Sequence, residues 1–176
     1  MTEYYLPTGY GTSEFVEKKS RFIGEVWRIS TEEEARQRVA EVKKKYHDAR
    51  HSCWCYLLRD GTVRYSDDGE PQGTAGQPML EVFSREGITD CVCVVTRYFG
   101  GIKLGTGGLV RAYQGMVKLG LESLPTREHM IPARLEVVLD YPHITVFRRL
   151  LPDYRATVAS ENFGVDATYE LLLPDQ

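Results

Sequence analysis

The densest concentration of chemically useful groups lies between Phe99 and Arg111. Phe99-Gly100-Gly101-Ile102-Lys103-Leu104-Gly105-Thr106-Gly107-Gly108 holds five glycines between an apolar β-type run and a helical pattern. Glycine lets a backbone turn through positive φ and approach a ligand closely. The free N–H groups opening the following helix attract anions. Arg111, expected in the first helical turn, and Lys103, in the loop, oppose the helix dipole. A negative partner is therefore required: either a bound anion or the acidic loop Asp67-Asp68-Gly69-Glu70. The second reading of the loop is purely conformational. It lacks the Gly-Lys-Ser/Thr ending of a phosphate loop and the G-x-G-x-x-G of a dinucleotide site.

Other candidates surround this segment. Arg97 precedes the loop, Thr74 sits in a second glycine stretch (Gly73-Thr74-Ala75-Gly76), and Tyr98 and Phe99 are placed to stack on a base or to pack inside. His51, Asp67, Asp68 and Glu70 are the acid–base candidates. A lone histidine at a strand start is more often structural, and D-D-G-E is also ordinary turn chemistry. No nucleophile with an identifiable base and no H-E-x-x-H occurs, so pattern alone establishes no enzyme. Four cysteines form two C-x-C pairs, Cys53/Cys55 and Cys91/Cys93. Structural zinc takes C-x₂₋₄-C spacings, so buried free thiols are expected, with no metal and no cofactor.

The 176 residues are 42% apolar and 27% charged, which is globular composition without extensive disorder. The net charge of −3 argues against a protein with one broad basic face, so any polyanion contact must be a local patch. The start of the chain has no signal-peptide pattern, and no apolar run approaches the ~20 residues that span a bilayer. A cytoplasmic protein without membrane contact is expected.

The elements that position these groups are α and β in mixed order. Residues 1–13, with Pro7, Gly9 and Gly11, read as a flexible leader. Strands are expected at Glu14–Lys18 and Arg21–Ile29 around Lys19-Ser20. Ser30 with Glu33, or Thr31 with Glu34, opens a helix to about Tyr46. Asp60-Gly61 joins Ser52–Arg59 and Thr62–Ser66 into a hairpin. Pro78 suits the first position of a helix over Met79–Glu86. Asp90–Tyr98 is a central strand and Leu109–Leu124 a helix. The first domain spans 14–124 and a proline-bounded linker spans 125–132. From 133 to 176 the pattern reads strand, helix (Pro142–Tyr154), and a hairpin of Ala156–Asn162 with Val165–Leu173.

Taken together, Ala49-Arg50-His51, Ser66–Pro71, Gly73–Gly76, Thr96–Gly101, Lys103-Leu104-Gly105, Gly107-Gly108-Leu109 and Arg111-Ala112-Tyr113 resemble the YigZ/IMPACT family. The resemblance covers about Glu14–Leu124. It implies an α+β fold: an N-terminal ribosomal-protein-like βαβ sandwich domain with a left-handed crossover, plus a small ferredoxin-like C-terminal domain. It also implies a translation-linked binding protein contacting RNA, ribosome or a translation factor. Enzyme or sensor chemistry on a small phosphorylated ligand, and a protein-only adaptor, are the alternatives. The ferredoxin-like pattern is incomplete by a final helix and strand. Residues after Pro132 are therefore expected to be less ordered, or completed at a strand edge in a homodimer.

Overall fold

The computed structural model describes residues 3–173. Tyr5–Glu128 forms one compact unit, and residues 129–173, joined by Glu3 and Tyr4, belong to the other.

The larger unit is built on strands β2 (Tyr10–Glu17), β3 (Ser20–Arg28), β4 (His51–Leu57), β5 (Val63–Ser66) and β6 (Cys91–Tyr98), with most of β1 (Tyr4–Thr8) and β7 (Thr126–Met130). Its helices are α1 (Glu32–Lys45), α2 (Gly76–Arg85) and α3 (Thr106–Glu122). Five strands form one sheet in the order β2-β3-β6-β4-β5, while β1 pairs with β7. Every neighbouring pair in the five-stranded sheet is antiparallel. Side chains alternate across a strand, so Val92 and Val94 face α1 with Ile29, Ala35, Val39 and Val42. Cys91, Cys93 and Val95 face the other way, against Met79 and Phe83 of α2 and Tyr113 and Met116 of α3. The result is three layers, with α1 on one face of the sheet and α2 and α3 on the other.

This arrangement fixes an unusual chirality. β3 and β4 run parallel with β6 between them, as do β5 and β6 with β4 between them. The β3–α1–β4 crossover travels across one face. The β5–α2–β6 crossover reverses the strand direction, the sense of travel and the face. Three reversals invert the hand, so one of these two crossovers is left-handed, against the strong right-handed preference.

Several boundaries differ from expectation. Tyr4–Thr8 and Tyr10–Ser13 are strand rather than leader, and Met1 and Thr2 lie outside the described residues. Gly11 is there for packing: a Cβ on it would stand 2.5 Å from the Gly120 carbonyl oxygen. The 125–132 segment contains β7. At α1 the Thr31 register wins, because its side chain accepts from the Glu34 N–H and Glu34 accepts from the Ser30 N–H. α2 starts at Gly76, which puts Pro78 third in the helix. α3 starts at Thr106, so Arg111 sits in its second turn.

The smaller unit carries β8 (Ala133–Leu139), a 3₁₀ turn (Tyr141–His143), α4 (Ile144–Leu150), β9 (Thr157–Phe163) and β10 (Ala167–Leu173). The helix is shorter than the Pro142–Tyr154 expected. The sheet order is β8-β10-β9, antiparallel. Ala167, Tyr169 and Leu171 of the central strand pack under Ile144 and Phe147. No helix among the described residues is long and apolar enough to cross a membrane.

Candidate functional site

The sequence-derived candidates separate into a buried polar network and an exposed basic surface, both in the larger unit. The network centres on Glu70. Its carboxylate accepts from Arg97 Nη1 at 2.7 and 3.0 Å and from the Tyr113 hydroxyl at 2.7 Å. The Arg97 and Glu70 side chains are only 6% and 3% exposed. Arg97 also donates to Ser20 Oγ at 3.3 Å, and its guanidinium lies between the Phe22 and Phe99 rings. Arg97 is thus consumed by an internal ion pair and is unavailable as a phosphate contact. The cause is strand alternation: it points to the same face as Cys93 and Val95, into the layer beneath α3.

Around that pair, each acidic-loop residue has an internal task. Asp67 accepts from the N–H groups of Gly73, Ala75 and Gly76, which caps the start of α2. Asp68 accepts from the Ser52 N–H and from Lys43. Thr74 is buried and donates to the Pro71 carbonyl at 2.5 Å. The Asp68 carbonyl lies 2.9 Å from His51 Nδ1, so Nδ1 carries the proton and Nε2 faces Glu70 at 3.8 Å. Cys53 Sγ stands 3.3 Å from the Tyr113 hydroxyl. Burial first, and the neighbouring Cys53 and Glu70 next, hold the Tyr113 phenol far above its ordinary pKa, so it stays a donor. Burial likewise pushes the Cys53 thiol up, which makes it a poor nucleophile. His51, Glu70, Cys53 and Tyr113 therefore meet, but as a closed structural network rather than an exposed acid–base pair. Cys53, Cys55, Cys91 and Cys93 are all free and buried. Among the described residues no cluster of three or more His, Cys, Asp or Glu is placed to hold a metal.

The exposed surface is assembled differently. The β2–β3 hairpin turns at Lys18-Lys19, both with positive φ (44° and 63°). Two central residues at positive φ define the type I′ geometry that normally takes Asn-Gly. Backbone strain of this kind, about 1–3 kcal/mol per residue, collects at functional surfaces. The turn falls one residue before the expected Lys19-Ser20 and takes in Lys18, which neither glycine nor asparagine marks. Gly100 packs on the turn so closely that a Cβ would stand 2.0 Å from the Lys19 carbonyl oxygen. Gly101 and Gly105 take positive φ (88° and 78°), and Gly105 is the N-cap of α3. Tyr98 donates to Asp48 on the α1 side. Phe99 is 40% exposed, with the Arg50 guanidinium 5.8 Å and that of Arg97 5.5 Å from its ring.

Between the hairpin and α3 lies a cleft of about 440 Å³ whose walls include Phe15, Lys18, Leu104, Gly108, Arg111 and Lys118. Lys103, expected beside Arg111, does not line it, and neither does the Asp67–Thr74 loop; Lys103 sits on the adjoining exposed loop. The first turn of α3 has no acidic residue and no side-chain cap. Among the described residues Lys18, Lys19, Arg50, Lys103, Arg111 and Lys118 have no ion-pair partner, whereas Lys43, Lys45 and Arg97 are all matched by carboxylates. Six cations from four separate stretches of chain thus converge unneutralised around Phe99–Gly108. Lys118 and the Lys18-Lys19 pair are the members that sequence spacing could not reveal.

Residues 18–121 match the Impact N-terminal domain family. The chain is 44% identical over 175 residues to the IMPACT family member YvyE of Bacillus subtilis (strain 168), covering 98% of this chain and 81% of that protein. It is 36% identical over 161 residues to the IMPACT family member YigZ of Escherichia coli (strain K12), covering 89% and 79% respectively. A crystal structure described as that of a hypothetical protein superposes with a TM-score of 0.70 at 34% identity, over 99% of this chain and 86% of that one. The match takes in both the Lys18-Lys19 turn and the Gly100–Gly108 loop, and the similarity runs on through the smaller unit. This chain belongs to the IMPACT family.

Proposed function

We propose that this protein is a translation-linked binding module that holds RNA through the basic surface around Phe99–Gly108. The carrying observation is the convergence of Lys18, Lys19, Arg50, Lys103, Arg111 and Lys118 without carboxylate partners among the described residues, in a chain whose net charge is −3. Unpaired cations on one surface bind phosphates by releasing counterions. Phe99 adds an exposed ring for a base, braced by Arg50. The uncapped start of α3 supplies further N–H donors. Phosphate contacts of this kind position a nucleic acid without reading its sequence. The link to translation is what the family resemblance implies.

The test is fluorescence anisotropy of a short single-stranded RNA across a salt series. About four to six phosphate contacts give a slope of roughly −3 to −4 in log affinity against log salt. Replacing Lys19, Lys103 and Arg50 with glutamine flattens that slope by about 2 units. Absence of binding at ~50 mM salt, or an affinity indifferent to salt, overturns the proposal.

A further inference from the structure

The cleft between the β2–β3 hairpin and α3 offers more than a row of phosphate contacts. At about 440 Å³ it falls in the range that admits a whole small ligand rather than one ion. Its floor is apolar, with Phe15, Leu104, Ala112 and Leu119, and its rim carries Lys18, Arg111 and Lys118 against the single carboxylate of Glu17. An apolar floor under a cationic rim suits a ligand with one flat face and one anionic group.

Gly115 supplies an independent observation. It lines the cleft in the interior of α3, on ordinary helical backbone. A Cβ there would meet nothing within 4 Å, whereas at Gly120 it would press on Val26 at 3.1 Å and at Gly108 on Leu104 at 3.2 Å. Glycine weakens a helix interior, and here neither backbone conformation nor packing asks for it. What its missing side chain does is keep the floor of the cleft flat and open beside Ala112.

We infer that this cleft is a mononucleotide subsite, taking one base over the Ala112–Gly115 stretch beside Phe15 and its phosphate between Lys18 and Arg111. The inference rests on the RNA reading above, with a nucleotide of bound single-stranded RNA as the occupant. A free nucleoside monophosphate offers the same chemistry. Bases stack on apolar and aromatic surface with little sequence preference, and the phosphate draws on cations that have no ion-pair partner among the described residues.

The experiment uses the full chain and two variants, Gly115→Leu and Gly115→Ala. Both add a better helix former into open space, so thermal melts should show them folded and at least as stable as the parent. AMP, UMP and inorganic phosphate are titrated and followed by backbone amide NMR. A short single-stranded RNA and an RNA duplex are followed by anisotropy. Expected are shifts at Gly108, Ala112 and Gly115 with AMP and UMP, and phosphate weaker by about tenfold, the worth of one stacked base. Gly115→Leu lowers monophosphate and single-strand affinity by about tenfold and leaves duplex affinity unchanged, since a duplex presents no free base. Folded Gly115→Leu protein that binds monophosphates and single strands like the parent overturns the subsite while leaving RNA binding intact. Monophosphate binding lost in Gly115→Leu, with no RNA binding at all, retains the subsite for a free nucleotide and refutes the RNA reading. No shift with either monophosphate overturns the subsite outright.

Discussion

Replacing Glu70 by glutamine isolates the role of the buried network. The substitution keeps the shape and one acceptor oxygen, and it removes the charge facing Arg97. The guanidinium then retains Ser20 Oγ at 3.3 Å and the rings of Phe22 and Phe99, while its Nε, already without an acceptor, gains nothing. Breaking a buried ion pair from one side costs about 3–5 kcal/mol because the remaining charge stays desolvated. The surviving oxygen and the Tyr113 hydroxyl place Glu70→Gln near the lower end, about 3 kcal/mol. For a unit the size of Tyr5–Glu128, each kcal/mol moves the midpoint by about 4 °C, so a fall of roughly 12 °C is expected. Differential scanning calorimetry reads it directly. Adding Arg97→Met to Glu70→Gln should recover part of the loss, because the pair is then replaced rather than broken. A drop below about 3 °C for Glu70→Gln, less than 1 kcal/mol on the same scale, would refute the argument that these two side chains neutralise each other out of water.

Two further outcomes follow from burial. The four thiols should react with an aromatic disulfide reagent only as fast as the larger unit opens, since burial holds Cys55 and Cys91 well above the ordinary thiol pKa; a rapid stoichiometric burst from native protein would contradict this. Asp90 has its pKa raised, by burial first, with the Arg59 N–H and guanidinium opposing. A raised carboxyl pKa contributes stability that is present below the unfolded value of about 3.9 and lost as pH rises through the folded value. Asn at this position keeps the acceptor for the Arg59 N–H and tolerates φ of 52°. Denaturant titrations should therefore show Asp90→Asn gaining on the parent as pH rises from about 3 to 6. A gap that stays constant or shrinks over that range counts against a desolvated carboxylate.

Local signals carried the sequence reading wherever they were strong. α1 announced itself through Thr31, Glu34 and the charge reversal from Glu32–Glu34 to Lys43–Lys45. The β4–β5 hairpin followed from Asp60-Gly61, and β6 from an unbroken apolar run. α3 begins three residues before the expected Leu109: Thr106-Gly107-Gly108 are poor helix formers, but Gly105, at φ 78°, turns the chain into the helix. β1 and the first half of β2 are hidden by Gly9 and Gly11: Gly9 turns the chain at φ 72°, and Gly11 answers the close approach of the Gly120 carbonyl. The site was legible only in part. Arg97 at the end of a strand looks exposed until Glu70, 27 positions away, is seen to accept from it. Lys18 and Lys118 lie 100 positions apart and meet only because β2, β3 and α3 pack in one particular register.

The position of β6 in the sheet also governs the order in which the molecule can be made. It is the last of the five sheet strands to leave the site of synthesis, yet it belongs in the middle, between β3 and β4. Until it arrives, the β2–β3 and β4–β5 hairpins each present an open edge and a bare apolar face, and neither can zip onto the other in the native order. At a synthesis rate of roughly 5–20 residues per second the wait lasts seconds, long against the microseconds in which a hairpin forms. The nascent chain is most exposed to edge pairing with other chains during that interval. Closure by a late central strand makes folding a single non-local event, slow to nucleate and all-or-none once β6 slots in.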